Sequence, residues 1–317
     1  MRKTVLCIVA SCFALLAFSQ RMPINLTPSG EYMFAQRDTC QLFLSVYDPA
    51  PESETTLDGK AKPTILFSFG GGFIMGSRNS REYLQWFRRL CDNGYKVITI
   101  DYRLGLKGKG NVGVTQVGVI YDAIEAGVED LYSATAFIID NAEALGVDPA
   151  KIVISGSSAG AIISLQAEWH LCNGTGHAGM LPEGFRYAGV MAFSGAILSR
   201  EGKIRFAKEP APVLFFHGMS DGIVNYKKTV FFKNRFEGAA SLSKLFAKKE
   251  YNYNIHRFEG KNHEIAVSFL ATFPEQLRFL EENVIRGKRR IVDAVINDPS
   301  IKAWKLNSTK DIYKNNY

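Results

Sequence analysis

The chain has 317 residues, of which 46% are hydrophobic and 22% charged, and it carries a net charge of +7. That composition excludes a disordered chain and a multi-span membrane protein, and it leaves ample apolar material for a large core. The basic excess does not point to nucleic acid, because the one basic run, Arg286 to Arg290, has no interleaved aromatics and reads as a solvated helix end.

In chain order, the first segment reads as an export leader. Arg2 and Lys3 precede an apolar run from Val5 to Phe18, and Ala17-Phe18-Ser19 forms a small-x-small cleavage site. Residues 1–19 are therefore expected to be a signal peptide, the mature chain starting near Gln20 as a secreted or periplasmic protein without a membrane span. The rival is lipid attachment at Cys12, in Val9-Ala10-Ser11-Cys12, but Phe13 to Phe18 continue the apolar run where a polar tether is needed.

Leu42, Leu44 and Val46 alternate, predicting an edge strand over Cys40 to Tyr47. Continuous apolar runs at Thr64 to Phe69, Tyr95 to Ile100, Lys151 to Ser155, Tyr187 to Phe193, Val213 to Phe216 and Tyr251 to Phe258 read as strands, most of them buried on both faces. Helical spacing predicts helices over Ser80 to Cys91, Val128 to Leu145, Ala159 to about Leu171 and Asn225 to Phe236, with a last long helix after His263. Such alternation implies an α/β fold with a doubly wound, mostly parallel sheet and helices on both faces. With no long linker or internal repeat, residues 20–317 are expected to form a single domain, its core at about 64–280 and a C-terminal extension at 281–317. Cys172 to Phe185, glycine-rich, is expected as an inserted loop beside the site and a possible lid. Three cysteines follow the leader, Cys40, Cys91 and Cys172, with no spacing for a metal site and no means of choosing a disulfide pair.

Gly156-Ser157-Ser158-Ala159-Gly160 matches the G-x-S-x-G nucleophile elbow, between an apolar strand and a helix as that motif requires. Serine is a poor nucleophile at neutral pH, so a base must lie within hydrogen-bond reach, and in this motif class the acid and the histidine follow the serine in the chain. Five histidines follow Ser158. Only His263 sits in a polar loop between the final strand and final helix. His256 lies mid-strand, His217 is expected to shape the acid loop, and His170 and His177 are expected at the surface. Asp221 stands just past the penultimate strand, where a carboxylate can reach the next loop's imidazole; Glu259 and Glu264 are fallbacks. For the oxyanion, backbone N–H groups of Gly71, Gly72 and Ala159 are the candidate donors. No P-loop or GxGxxG spacing is present, so a nucleotide is not expected, and neither a cofactor nor a metal is called for.

Phe69-Gly70-Gly71-Gly72-Phe73, Asp101-Tyr102-Arg103-Leu104, the serine elbow, Asp221 and His263 together resemble the carboxylesterase and hormone-sensitive-lipase-like branch of the α/β hydrolases. The chain is also similar to bacterial feruloyl and acetylxylan esterases. One departure is Phe69, where the family usually has histidine. The resemblance implies the α/β-hydrolase fold over about Thr64 to Leu280 and a serine esterase working through an acyl-enzyme. A prolyl-peptidase-like peptidase has no room for a gating domain before Thr64, and a silent binder on the same fold is expected to lack a triad member. The expected substrates are small-molecule or saccharide esters with short acyl groups, with Phe73, Trp169 and Tyr226 as candidates to border a cleft, because there is no long apolar cap and the glycine-rich Cys172 to Phe185 insertion offers few of the large apolar side chains that work at a lipid surface requires.

Overall fold

The computed structural model describes residues 26–110, 112 and 116–304. The expected leader, Cys12 included, and positions 305–317 lie outside the described residues. Among these residues no helix is long and apolar enough to cross a membrane.

A nine-stranded sheet organises the chain. Its strands are β1 (Gly30–Gln36), β2 (Gln41–Tyr47), β5 (Thr64–Ser68), β6 (Val97–Ile100), β7 (Ile152–Ser157), β8 (Gly189–Phe193), β10 (Val213–Gly218), β13 (Tyr253–Phe258) and β14 (Val292–Ile296), in spatial order β1-β2-β6-β5-β7-β8-β10-β13-β14. The β1–β2 and β2–β6 pairs are antiparallel and every pair from β6 to β14 is parallel. Two short strands, β3 (Thr56–Leu57) and β4 (Lys60–Ala61), form a separate hairpin. The central parallel strands β5, β7, β8 and β10 are buried at every position, as continuous apolar runs covered on both faces must be. Helices α1 (Arg81–Asp92), α2 (Val117–Asp140), α3 (Ala159–Asn173), α4 (Ala239–Lys249) and α5 (Phe273–Phe279) pack on this sheet. This is the doubly wound, mostly parallel sheet expected from the strand and helix alternation, and it fits the α/β-hydrolase fold that the resemblance implies.

Several boundaries differ from expectation, each for a local reason. The Cys40 to Tyr47 strand is β2 and is not an edge, because Gly30–Gln36 pairs with it from outside. The helix expected over Val128 to Leu145 starts at Val117 and breaks at Asn141, whose side-chain amide donates to Phe137 O at 2.8 Å; Ala142–Leu145 is a separate turn. After His263 there is a 3₁₀ segment, His263–Val267, then α5, which widens into a π turn over Leu280–Ile285, in place of one long helix. Part of the expected C-terminal extension is sheet, since β14 pairs in parallel with β13. The largest departure is Asn225 to Phe236. Instead of a helix it holds most of a hairpin, β11 (Lys228–Phe231) with β12 (Asn234–Gly238), which joins β9 (Ala196–Ser199) in a three-stranded sheet. The β-branched and aromatic run Thr229-Val230-Phe231-Phe232 suits a pleated surface better than a helix, and the next helix starts only at Ala239.

The three cysteines are free thiols, Cys40 half-buried and Cys91 and Cys172 buried. The Arg286 to Arg290 run is ion-paired, Arg286 to Asp58 at 2.7 Å, Lys288 to Glu282 at 2.7 Å and Arg289 to Glu209 at 3.3 Å.

Candidate active site

Ser158 sits between β7 and α3, at φ 50° and ψ −112°, a left-handed conformation that non-glycine residues seldom adopt. The turn is tight enough to need both flanking glycines. A Cβ on Gly156 would lie 2.1 Å from the Gly160 carbonyl carbon, and one on Gly160 would lie 2.0 Å from Ser68 O. The Ser158 N–H donates to Phe193 O at 2.8 Å, and the Ser157 hydroxyl donates to Ala266 O at 2.8 Å, so the elbow is fixed to β8 on one side and to the histidine segment on the other. The side chain of Ser158 is thereby held over the carboxyl end of the sheet.

The Ser158 Oγ lies 2.8 Å from His263 Nε2, and Asp221 Oδ2 lies 2.8 Å from His263 Nδ1. Of the five histidines and the three candidate acids, the fold brings together the members that chain order and loop position single out. Asp221 is buried just past β10. Its Oδ1 accepts from Ile223 N at 2.9 Å and Val224 N at 3.0 Å, and His217 Nε2 stands 3.4 Å from its Oδ2. Burial alone raises the pKa of this carboxyl, but the hydrogen bonds and charges of His217 and His263 outweigh it and hold Asp221 well below the usual carboxylate range. The His263 loop is equally constrained, Asn262 Oδ1 accepting from both His263 N at 2.9 Å and Gly222 N at 3.0 Å. That one amide ties the acid loop to the base loop. Its role was not visible in the sequence, where Asn262 read only as a polar loop residue.

The fallback acids are elsewhere. Glu264 directs Oε1 to Asn262 N at 2.8 Å and Oε2 to Trp304 N at 3.1 Å, and Glu259 is exposed. His217 is fully buried and donates from Nε2 to Val224 O at 2.9 Å, bracing the acid loop as expected. His256 stacks on Phe216 with ring centroids 5.2 Å apart, and burial lowers its pKa to about 4. The expectation for His170 is corrected. It is buried rather than at the surface, bonded to Glu125 at 2.8 Å and Thr175 at 2.8 Å, since the face of α3 that carries it packs against α2. His177 is half-buried.

A cavity of about 350 Å³ opens beside Ser158, and Gly72 and Ala159 line it while Gly71 does not. Ala159 is the first residue of α3, where an N–H has no intrahelical acceptor, and Gly72 (φ 64°) follows the turn after β5. The Gly71 carbonyl closes the loop, accepting from Ile74 N at 3.0 Å and Met75 N at 3.1 Å, which leaves its N–H for the oxyanion. Phe69, the departure from the family's histidine, stacks on Tyr102 with centroids 4.3 Å apart, and Tyr102 donates its hydroxyl to Phe69 O at 2.9 Å. Aromatic packing thus anchors the glycine turn.

The aromatic residues expected at the cleft are only partly there. Phe73 lines the cavity, but Trp169 donates to Arg205 O and the Tyr226 ring lies edge-on to His217, neither reaching the cavity. Phe231 and Phe236 take their place, from the hairpin that the sequence did not reveal. The Cys172 to Phe185 segment is not beside the site either. It follows the C-terminal end of α3, a helix of 15 residues, so it begins roughly 20 Å from the elbow at that helix's other end. Among the described residues no group of three or more His, Cys, Asp or Glu is placed to hold a metal ion.

Comparison with known proteins agrees with this geometry. The BD-FAE family matches residues 50–170 and the phospholipase/carboxylesterase family matches residues 116–280. A neuroligin-like protein of Caenorhabditis elegans is 31% identical over 41% of this chain and 16% of its own length. An ethyl acetate hydrolase of Pseudomonas putida is 29% identical over 39% of this chain and 33% of its own length. The chain thus spans a third or less of the length of these curated relatives. A thermophilic esterase from Thermogutta terrifontis shares the fold at a TM-score of 0.56 and 21% identity, over 81% of this chain and 92% of that one. The second family match, residues 116–280, takes in more than half of the chain, Ser158, Asp221 and His263 among it, and the chain belongs to the phospholipase/carboxylesterase family.

Proposed function

We propose that this protein hydrolyses carboxylic esters through an acyl-enzyme on Ser158. The observation that carries the reading is the unbroken relay from Asp221 to His263 to Ser158, at 2.8 Å for each step. His263 takes the Ser158 proton as Oγ attacks the ester carbonyl. The oxyanion is met by the N–H groups of Gly71, Gly72 and Ala159, and His263 returns the proton to the departing alcohol. Water then enters by the same route in reverse and releases the acid. Asp221 stays charged throughout and fixes the imidazole tautomer. Similarity to an ethyl acetate hydrolase supports an ester with a short acyl group. A peptidase reading gains no support from the site. Kinetics of the Ser158→Ala and His263→Ala variants, set out in the Discussion, test the assignment.

The acyl side of the substrate is the better constrained. The cavity beside Ser158 is walled by Phe73, Ile74, Ile162, Leu198, Val224 and Phe236, and its 350 Å³ is roughly ten times the 30 Å³ share of one water. An acetyl group leaves most of it empty. Across nitrophenyl esters of rising chain length, kcat/KM should climb from acetate through butyrate by up to about fourfold per methylene and then fall once the chain outgrows the cavity. A profile that peaks at acetate would mean that the acyl group sits elsewhere. Acylated sugars remain candidate substrates, the sugar leaving as the alcohol, without Trp169 or Tyr226 as stacking platforms. Export belongs to the proposal on the residues of positions 2–19 alone, and the first residue of the protein in its native host, expected near Gln20, tests it.

A further inference from the structure

The hairpin β11–β12 alternates as a strand pair does. Its cross-strand pairs Thr229↔Phe236 and Phe231↔Asn234 face the cavity that holds Ser158, and the pairs Lys228↔Glu237 and Val230↔Arg235 face away. Between the two strands the chain turns at Phe232-Lys233, and here the hairpin is unlike the rest of the surface. Phe232 is 87% exposed, Val230 48% and Phe231 39%, three consecutive large apolar positions at one tip. The Phe231 and Phe232 rings meet edge to face with centroids 4.8 Å apart, which makes one continuous apolar knob.

Phe232 also takes the left-handed backbone at the turn, φ 53°, a place where glycine or asparagine is at ease and an aromatic residue is strained. The fold gains little from this side chain. A strained, water-exposed phenylalanine is retained for something outside the chain, an inference that runs from the outlier to the role. The charges around it say what that is. Lys227, Lys228 and Lys233 are exposed, and among the described residues none of their ammonium groups is ion-paired. The fourth cation, Arg235, is neutralised by Glu237 at 2.6 Å, the one carboxylate of the hairpin.

An apolar knob with three uncompensated lysines behind it fits an interface whose interior is hydrocarbon and whose surface is negative. We propose that the β11–β12 tip docks this protein on anionic lipid surfaces, Phe232 and Val230 entering the interface and Lys227, Lys228 and Lys233 lying at the headgroups. The same hairpin's inner face walls the cavity, so docking brings the cavity mouth to where apolar esters partition. That last consequence rests on the esterase reading; the docking itself does not.

The full chain carrying Ser158→Ala, unable to alter the vesicles, is sedimented with phosphatidylcholine vesicles with and without phosphatidylglycerol. Binding should require phosphatidylglycerol and weaken as salt rises. Phe232→Ser should weaken it by about tenfold or more, as should Lys228→Glu with Lys233→Glu. On the Ser158 background, each variant should leave turnover of a water-soluble ester unchanged, which also shows that the fold is intact. Phe232→Gly, which suits the turn's backbone, should keep the fold and still lose the binding. Three outcomes would overturn the proposal: no sedimentation of the parent chain, binding indifferent to Phe232, or binding driven by the lysines alone and abolished by a soluble acidic polysaccharide. If vesicle binding fails while Ser158-dependent hydrolysis persists, docking alone is wrong. Docking that persists when ester turnover survives Ser158→Ala makes the catalytic reading the wrong one.

Discussion

Ser158→Ala and His263→Ala are each expected to lower kcat/KM for a nitrophenyl ester by about a thousandfold or more, and the double variant by little beyond the worse single one. The non-additivity is the informative part. Ser158 and His263 share one proton across 2.8 Å, so removing either leaves the other with nothing to do. The residual rate should come from the cavity and the oxyanion donors, which neither substitution touches. Thermal unfolding should change little, because the elbow is held by its backbone bond to Phe193 and by Ser157, not by the Ser158 hydroxyl. Similar losses from two independent sites, adding fully in the double variant, would mean that the two residues act separately.

Asp221→Asn is the next largest effect, about a hundredfold to ten-thousandfold in kcat with the fold retained. An asparagine can keep its oxygen toward Ile223 N and Val224 N, so the loop should survive. It then turns an N–H₂ toward His263 Nδ1, which favours the imidazole tautomer that cannot accept the serine proton. The wild-type carboxyl is held well below its usual range by His217 and His263 in spite of its burial. Stability contributed by Asp221 should therefore disappear only in strong acid. Glu259→Gln, at an exposed position, should stay within about twofold of the parent. The acid assignment is wrong if Asp221→Asn is near wild type and a substitution at Glu259 or Glu264 is not.

What could be read in the sequence is what local chemistry specifies. The elbow announces itself through two glycines that the turn cannot do without, the parallel strands through unbroken apolar runs, and His263 through its polar loop between the last parallel core strand and the helix. The hairpin was illegible for a physical reason. Its turn uses Phe232 in place of the usual Asn-Gly or Asp-Gly, and Tyr226 with Val230 and Phe232 with Phe236 are each four apart, a spacing that an amphipathic helix also satisfies. Misreading that segment hid the hairpin's four cavity residues, two of them aromatic, and the exposed tip together. β14 and β1 were missed because they are largely exposed or half-exposed, with no continuous apolar run to mark them. The buried state of His170 depends on Glu125, 45 residues away, and no periodicity reports that.

The central claim is that Ser158 becomes acylated, and trapping the adduct tests it most directly. The protein is treated with a fluorophosphonate ester, digested, and its peptides mapped by mass spectrometry. A stoichiometric adduct on Ser158, absent from the Ser158→Ala variant and formed much more slowly in His263→Ala, is the predicted result. No adduct, or one on Ser157 or another serine that persists in Ser158→Ala, would contradict it.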